Sequence, residues 1–359
     1  MTKKRVAILY GGRSVEHGVS INSARNIFEY IDKNQFEPIS IGISTSGKWY
    51  LTSGISKDIT TGEPLHLQLD PAKPAWTTAS GKDIAADIVF PVLHGTDGED
   101  GSIQGLLKAF SIPMVGTGVL GSAVSMNKLT AKRLLQEAGL PVTRFLACRF
   151  EEKNKFSFND VKSKLGLPFM VKAASLGSSV GVSKVKSEGD FAAALDDTFK
   201  YDDAALFEEY IQGREIECAI LGNNPPEASL PGEIVISAKY EFYTFDAKYV
   251  DGDAVKIEVP ASLEPATSEK IRKVSIQAYQ ALHCEDFARV DLFLDKSGNI
   301  YVNEINTIPG FTNSSMYPMM WKERGISFSQ LITRLIELAT ERFAKGQRIE
   351  RDFQSSLKF

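Results

Sequence analysis

The sequence predicts a multi-lobed α/β protein, and three observations predict it. Short apolar runs bounded by glycine precede helical patterns, at 6–10 before 20–30 and at 88–93 before 102–110. That alternation is the signature of a doubly wound sheet. At 359 residues the chain is too long for one small core and suggests two or three lobes. The last third carries two neighbouring strand patterns, 287–294 and 300–306, around the turn Asp295-Lys-Ser-Gly-Asn299.

The elements follow in order. Strands are expected at 6–10, 39–44 and 49–51, with a helix over 20–30 capped by Ser20 or Asn22. Residues 53–80 are polar, with several Pro, Gly and Thr, and read as a loop-rich excursion. A strand at 88–93 leads through His94-Gly95 to a helix over 102–110 and a strand at 113–115. A helix over 127–138 is closed by Gly139 and Pro141. After a mixed segment come a strand at 168–172, a small-residue loop at 175–181 and a returning strand at 182–185. Ser187-x-x-Asp190 opens a helix to about Lys200 as a capping box. Strands at 206–211, 215–221 and 233–237 precede a long loop over 240–262. A helix over 268–283 precedes the final strand pair, and another over 327–345 ends the pattern.

Composition narrows the function. The formal charge is −4 and no basic block occurs, so nucleic acid is not an expected partner. Cys148, Cys218 and Cys284 are odd in number, far apart and without C-x-x-C spacing, which argues against structural zinc and disulfides. The first apolar run ends at Gly11-Gly12, too soon for a signal peptide, and no run is long enough to span a bilayer. A soluble, cytoplasmic protein is the expectation.

Four patterns could carry chemistry. Gly116-x-Gly118-x-x-Gly121 matches the dinucleotide-binding fingerprint, but the acidic residue expected about 20 positions on would be Glu137, inside a predicted helix. Gly177-Ser178-Ser179-Val180-Gly181 is a literal G-x-S-x-G. A strand pattern follows it, so a backbone clamp for phosphate suits it better than a hydrolase elbow. In the strand pair, Arg289 shares a face with Asp291, and Glu304 with Asn306. Paired as a hairpin, they would converge into a hard-oxygen set suited to Mg²⁺ at nucleotide phosphates. The loop Asn306-Thr-Ile-Pro-Gly310-Phe-Thr follows directly. Lys128, Lys172 and Lys248 are candidate phosphate partners, and no G-x-x-x-x-G-K-[ST] is present, so an ATP site would not be a P-loop.

Several motifs then stand in one order. Gly11-Gly12-x-Ser14-x-Glu16-His17-x-Val19-Ser20 opens the chain, and His94-Gly95-x-x-Gly98-Glu99-Asp100-Gly101 follows. Lys172 precedes Leu176-Gly177-Ser178-Ser179-Val180-Gly181. Arg289-x-Asp291 and Asn303-Glu304-Ile305-Asn306-Thr307-x-Pro309-Gly310 close the series. Together they closely resemble the D-alanine–D-alanine ligases of the ATP-grasp superfamily, from Val6 to about Trp321.

The resemblance implies a three-lobed fold, with an N-terminal doubly wound α/β domain (1–126), a central subdomain (127–213) and a C-terminal subdomain (214–359) carrying metal and catalytic residues. ATP would lie between two antiparallel sheets. Lys128, Lys172 and Lys248 would contact its phosphates; Glu208, Tyr210 and Ile211 would sit at adenine and Glu215 at the ribose, with Phe242 and Phe293 in the same site. Asp291, Glu304 and Asn306 would hold two Mg²⁺ (or Mn²⁺) ions, and Arg289 with the Gly310 N–H would stabilise an oxyanion. Glu16 would bind the first D-alanine's ammonium, linked to Ser178 and Tyr249, with His94 lining the region; Ser315 and Met316 would bind the second substrate's carboxylate. Tyr249 favours D-alanine over D-lactate as second substrate. The implied product is D-alanyl-D-alanine for peptidoglycan precursors, made through a D-alanyl phosphate. The family also implies a homodimer. Two departures stand out: Ala173 where the family often has Pro, and Met316 where many members have Leu. The alternatives are another ATP-grasp carboxylate–amine ligase and a nucleotide-binding regulator without turnover.

Overall fold

A computed structural model of the chain describes residues 2–68, 70, 72–73, 75–178, 180–237 and 255–350. Three sheets organise it. The first contains β1 (Lys4–Gly11), β2 (Phe36–Ile43), β3 (Trp49–Thr52), β4 (Glu63–Leu67), β5 (Trp76–Thr78), β6 (Asp83–Ile84) and β7 (Ile88–Pro91), in the order β6-β5-β4-β3-β2-β1-β7. β1 pairs in parallel with β2 and β7. It reads as a continuous apolar run because both its faces are covered, and Val6, Ala7, Ile8, Leu9 and Tyr10 are fully buried.

Three expectations are corrected here. The loop-rich excursion at 53–80 contains β4 and β5, part of an antiparallel meander that extends the sheet from β3. Leu65, Trp76 and Thr78 are buried, and Trp76 stacks on Trp49 at 6.3 Å. Strands this short have too few alternations to stand out among Pro, Gly and Thr. The first helix, α1 (His17–Tyr30), starts before residue 20, with Glu16 rather than Ser20 or Asn22 at the cap position. Ser20 lies inside α1, where its hydroxyl accepts from the Gly11 N–H at 2.8 Å and donates to the Val92 carbonyl, tying the helix to both neighbouring strand ends. Helices α2 (Ser102–Ala109) and α3 (Val119–Met126) follow, and the strand expected at 113–115 is a single parallel bridge between Val89 and Met114.

The second sheet begins after α4 (Lys128–Glu137), which Asn127 caps by accepting the Thr130 N–H at 2.9 Å. It contains β8 (Phe145–Arg149), β9 (Phe169–Ala173), β10 (Val182–Val185) and β11 (Ala204–Glu209), in the antiparallel order β10-β9-β11-β8. Helices α5 (Phe158–Leu165) and α6 (Glu188–Thr198) both open with capping boxes, the second being Ser187 with Asp190. Their apolar faces meet the sheet in a cluster that includes Phe158, Phe169, Phe191 and Phe207.

The third sheet contains β12 (Gly213–Leu221), β13 (Glu227–Ala228), β14 (Gly232–Ile236), β15 (Val255–Glu258), β16 (Phe287–Asp295) and β17 (Ile300–Asn306). It is antiparallel, in the order β15-β14-β12-β16-β17, with β13 on β12. β15 corrects the expected unbroken loop over 240–262: pairing with β14 supplies the order that its polar sequence hides. Phe242, Lys248 and Tyr249 lie outside the described residues. Helix α7 (Pro265–Ala281) backs this sheet, and α8 (Met316–Lys322) and α9 (Phe328–Gly346) complete the chain.

The N- and C-terminal parts share one core, in which Ile8, Ile27 and Phe90 pack with Trp321, Leu331 and Leu335. A polar clamp reinforces it. Asp286 is fully buried and accepts from Arg342 at 2.9 Å, from the Gly116 N–H at 2.9 Å and from Asn223 at 2.9 Å. Arg342 also donates to the carbonyls of Met114 and Gly116, and Glu285 accepts the Gly118 N–H. The glycine pattern at 116–121 is therefore a docking turn: a Cβ on Gly121 would lie 2.3 Å from the His283 carbonyl. Replacing Arg342 by Met leaves the Asp286 carboxylate buried without its cation. The expected loss is about 3–5 kcal/mol in the first urea-unfolding transition; a loss below about 1 kcal/mol, the worth of an exposed pair, would remove the clamp from the account.

Candidate active site

Between the second and third sheets lies a cavity of about 360 Å³. Lys172 enters it from β9, Tyr210 and Ile211 from the link after β11, and Glu215 and Phe293 from the facing strands β12 and β16. Glu208 forms part of its floor. Its carboxylate is buried and bonds Lys172, Thr143 and Lys132, the last at 2.5 Å. Burial opposes ionisation of Glu208, yet the two lysines outweigh it and hold the carboxyl far below the usual range. Burial likewise opposes the charge on Lys172, and Glu208 reverses that, leaving Lys172 above the ordinary lysine value. For Lys132 burial prevails and its pKa falls. One carboxylate thus bonds two lysines and holds the Lys172 ammonium at the cavity.

The β16–β17 hairpin forms one wall. Arg289 pairs across the ladder with Asn306, and Asp291 with Glu304. Arg289 grips Asp291 with two bonds of 2.7 Å and reaches Glu217 at 2.9 Å, and Asn306 donates to Asp291 at 2.9 Å. Lys128 bridges Glu304 at 3.2 Å and the Leu176 carbonyl at 2.6 Å, joining hairpin to glycine loop. Two carboxylates and an amide on rigid strands form a hard-oxygen set that fits Mg²⁺.

A second cavity, about 880 Å³, shares Gly177, Ser178, Glu217, Arg289 and Glu304 with the first. The N-terminus of α1, His94, Gly310, Ser315 and Met316 line its other sides. Ser178 donates to Glu16. Gly95 (φ 75°) makes room: a Cβ there would meet Glu16 Oε2 at 2.7 Å. Ser315 accepts the Thr312 N–H at 3.0 Å, and Met316 is buried at the start of α8. His94 is buried with both ring nitrogens engaged, at Ser23 (3.0 Å) and at the Ile308 carbonyl (2.9 Å). Burial lowers its pKa, so the ring is neutral near pH 7. Glu99 accepts the N–H groups of Gly95 and Ile308 at 2.8 and 3.0 Å, and burial with the nearby Glu16 charge pushes its carboxyl up to about 8.

The comparisons with known proteins decide the family. The profile described as D-ala D-ala ligase N-terminus matches residues 5–117, and D-ala D-ala ligase C-terminus matches 134–337. The chain belongs to the D-alanine–D-alanine ligase family. It is 46% identical to D-alanine–D-alanine ligase A of Escherichia coli K12, over 98% of this chain and 99% of that protein. It is 44% identical to the D-alanine–D-alanine ligase of Shouchella clausii, over 98% of each. Among solved structures, the D-alanine–D-alanine ligase of Coxiella burnetii superposes with a TM-score of 0.87 at 36% identity, covering 97% of both chains. The VanG D-Ala:D-Ser ligase of Enterococcus faecalis gives 0.85 at 35% identity, covering 94% of this chain and all of that one. The architecture is the three-sheet ATP-grasp fold of these ligases.

Every described candidate lines one of the two cavities. Sequence reasoning passed over Lys132, Glu217, Ser23 and any role for Glu99. A signal existed for two of them. Lys132 is a lysine on the apolar face that carries Ala131 and Leu135, and Glu217 shares a strand face with Glu215.

The Glu99 carboxyl yields a pH prediction. Folded, it keeps its proton up to about 8, whereas the unfolded chain releases it near 4.5. The native state therefore binds the extra proton between those values, and stability falls as pH rises through the window. Glu99→Gln is expected to flatten that fall. Thermal midpoints of both proteins from pH 5 to 9 check it; parallel curves would contradict the assignment.

Proposed function

We propose that this protein uses ATP to join two D-alanines, giving D-alanyl-D-alanine, ADP and phosphate, for peptidoglycan precursors. The observation that carries the reading is the shared wall: Arg289, Glu304 and the Gly177-Ser178 loop border both a nucleotide-sized cavity and a second cavity holding Glu16. Across that shared wall, a phosphoryl group held in one cavity can meet a carboxylate held in the other.

A carboxylate is a poor acyl donor because its leaving group would be oxide. Transfer of the γ-phosphoryl group makes an acyl phosphate; the second alanine's amine attacks its carbonyl and phosphate departs. Lys128 and Lys172 hold nucleotide phosphates, Tyr210, Ile211 and Phe293 enclose the base and Glu215 the ribose. Asp291, Glu304 and Asn306 would hold two Mg²⁺ ions, which would neutralise charge during phosphoryl transfer. Glu16 binds the first alanine's ammonium, and Ser315 and the Met316 backbone the second's carboxylate. Arg289 and the Gly310 N–H face the developing oxyanion. The lobes divide at 1–126, 127–213 and 214–359, and the enzyme works in the cytoplasm as a homodimer.

With Mg²⁺–ATP and D-alanine, ADP, phosphate and the dipeptide should form one for one, with L-alanine silent; mass spectrometry identifies products. Arg289→Met should lower kcat by about 10²–10³-fold, the worth of an oxyanion donor. The VanG neighbour acts on D-Ala and D-Ser, so D-serine and D-lactate belong in the same assay. A mixed product forming faster than D-alanyl-D-alanine would replace the second substrate; ATP binding without turnover on any alanine would remove the substrate assignment.

A further inference from the structure

The loop 308–311 carries Gly310 and runs between β17 and α8 with no ladder partner of its own. Side chains from the N-terminal part hold it instead. Both polar groups of the Ile308 backbone are taken: Glu99 accepts its N–H at 3.0 Å, and His94 Nδ1 lies 2.9 Å from its carbonyl. A carbonyl can only accept, so Nδ1 carries the proton. Nε2 is then the acceptor in the neutral ring and takes the Ser23 hydroxyl proton at 3.0 Å. The same hydroxyl accepts the Phe311 N–H at 3.3 Å, and the other Glu99 oxygen accepts the Gly95 N–H at 2.8 Å. The bonds run unbroken from Phe311 through Ser23 and His94 to Ile308, and from Ile308 through Glu99 to Gly95. They bracket Pro309-Gly310 on both sides.

We propose that Ser23, His94 and Glu99 are positioning residues that act together to fix the 308–311 loop, and with it the Gly310 N–H, against the reacting carbonyl. The proposal deepens the ligase reading and rests on it for the identity of the reacting carbonyl. His94 then serves the loop through both nitrogens and has no free ring atom for substrate. The arrangement also couples the lobes: α1 supplies Ser23, the segment after β7 supplies His94 and Glu99, and the loop belongs to the C-terminal part. An N–H that must meet an oxyanion to within a fraction of an ångström needs such bracing, since loops alone are mobile.

The test uses Ser23→Ala, Glu99→Ala and Glu99→Gln in the full chain. Hydrogen exchange is followed in peptides spanning 304–313, and kcat and KM are measured for ATP and D-alanine. Ser23→Ala and Glu99→Ala should each speed exchange in that segment. They should lower kcat by about 10–10²-fold, the cost of a displacement near 1 Å, with both KM values near wild type. Glu99→Gln keeps one carbonyl acceptor and should recover part of each loss. Unchanged exchange in Ser23→Ala and Glu99→Ala overturns the proposal. So does a raised KM for D-alanine at unchanged kcat, which marks a substrate contact. Should the wild-type chain turn over no alanine, the ligase reading falls, while the exchange result still decides whether these residues hold the loop.

Discussion

The site depends on the register of β16 against β17. Side chains alternate along a strand, so pairing Asp291 with Glu304 and Arg289 with Asn306 gathers four polar groups on one face. Val290, Leu292, Val302 and Ile305 point the other way, into the core beneath α7. A slip of one residue would drive both carboxylates into that core, so apolar burial enforces the polar geometry. The ladder shifts register between Asp291 and Leu292, which leaves Asn303 as the extra residue on β17. Asn303 lines the first cavity and accepts from Lys172 at 3.4 Å. One irregularity in the ladder therefore connects the hairpin to the second sheet.

Most of the architecture was legible because its elements are long and periodic. β1, β7, α4, α9 and the final hairpin announce themselves through burial on one or both faces. The short strands β4, β5 and β15 did not, because their order comes from pairing with distant partners rather than from their own pattern. The start of α1 was hidden for a related reason. Ser20 looks like a cap, but its hydroxyl is committed to Gly11 and Val92, two contacts that exist only once β1 and β7 lie side by side.

The candidate site shows the same division. Arg289, Asp291, Glu304 and Asn306 were readable from spacing alone, since one hairpin carries them. Lys132 and Glu208 were not readable as a pair, because they are 76 apart in number and meet only through packing of α4 on the second sheet. Their meaning is electrostatic. The Glu208 carboxylate is shared between Lys132 and Lys172, which outweigh its burial and keep it ionised. Gly116, Gly118 and Gly121 mislead for the opposite reason: the spacing is that of a phosphate turn, but the turn is filled by residues 283–286 and Arg342.

The cysteines and Ser178 are poorly placed for covalent catalysis. Cys148, Cys218 and Cys284 are buried, and burial pushes their thiols up to about 11, 11 and 12, well away from a reactive thiolate. Ser178 has the positive φ (52°) of a nucleophile elbow, yet strand β10 follows it where an elbow needs a helix, and its hydroxyl is turned to Glu16. The chain's resources lie instead in fixed charges and backbone donors at the border of two cavities. A reaction built from phosphoryl transfer and amine attack asks for those and for no protein nucleophile, so the chemistry of the family and the inventory of this site lead to the same mechanism.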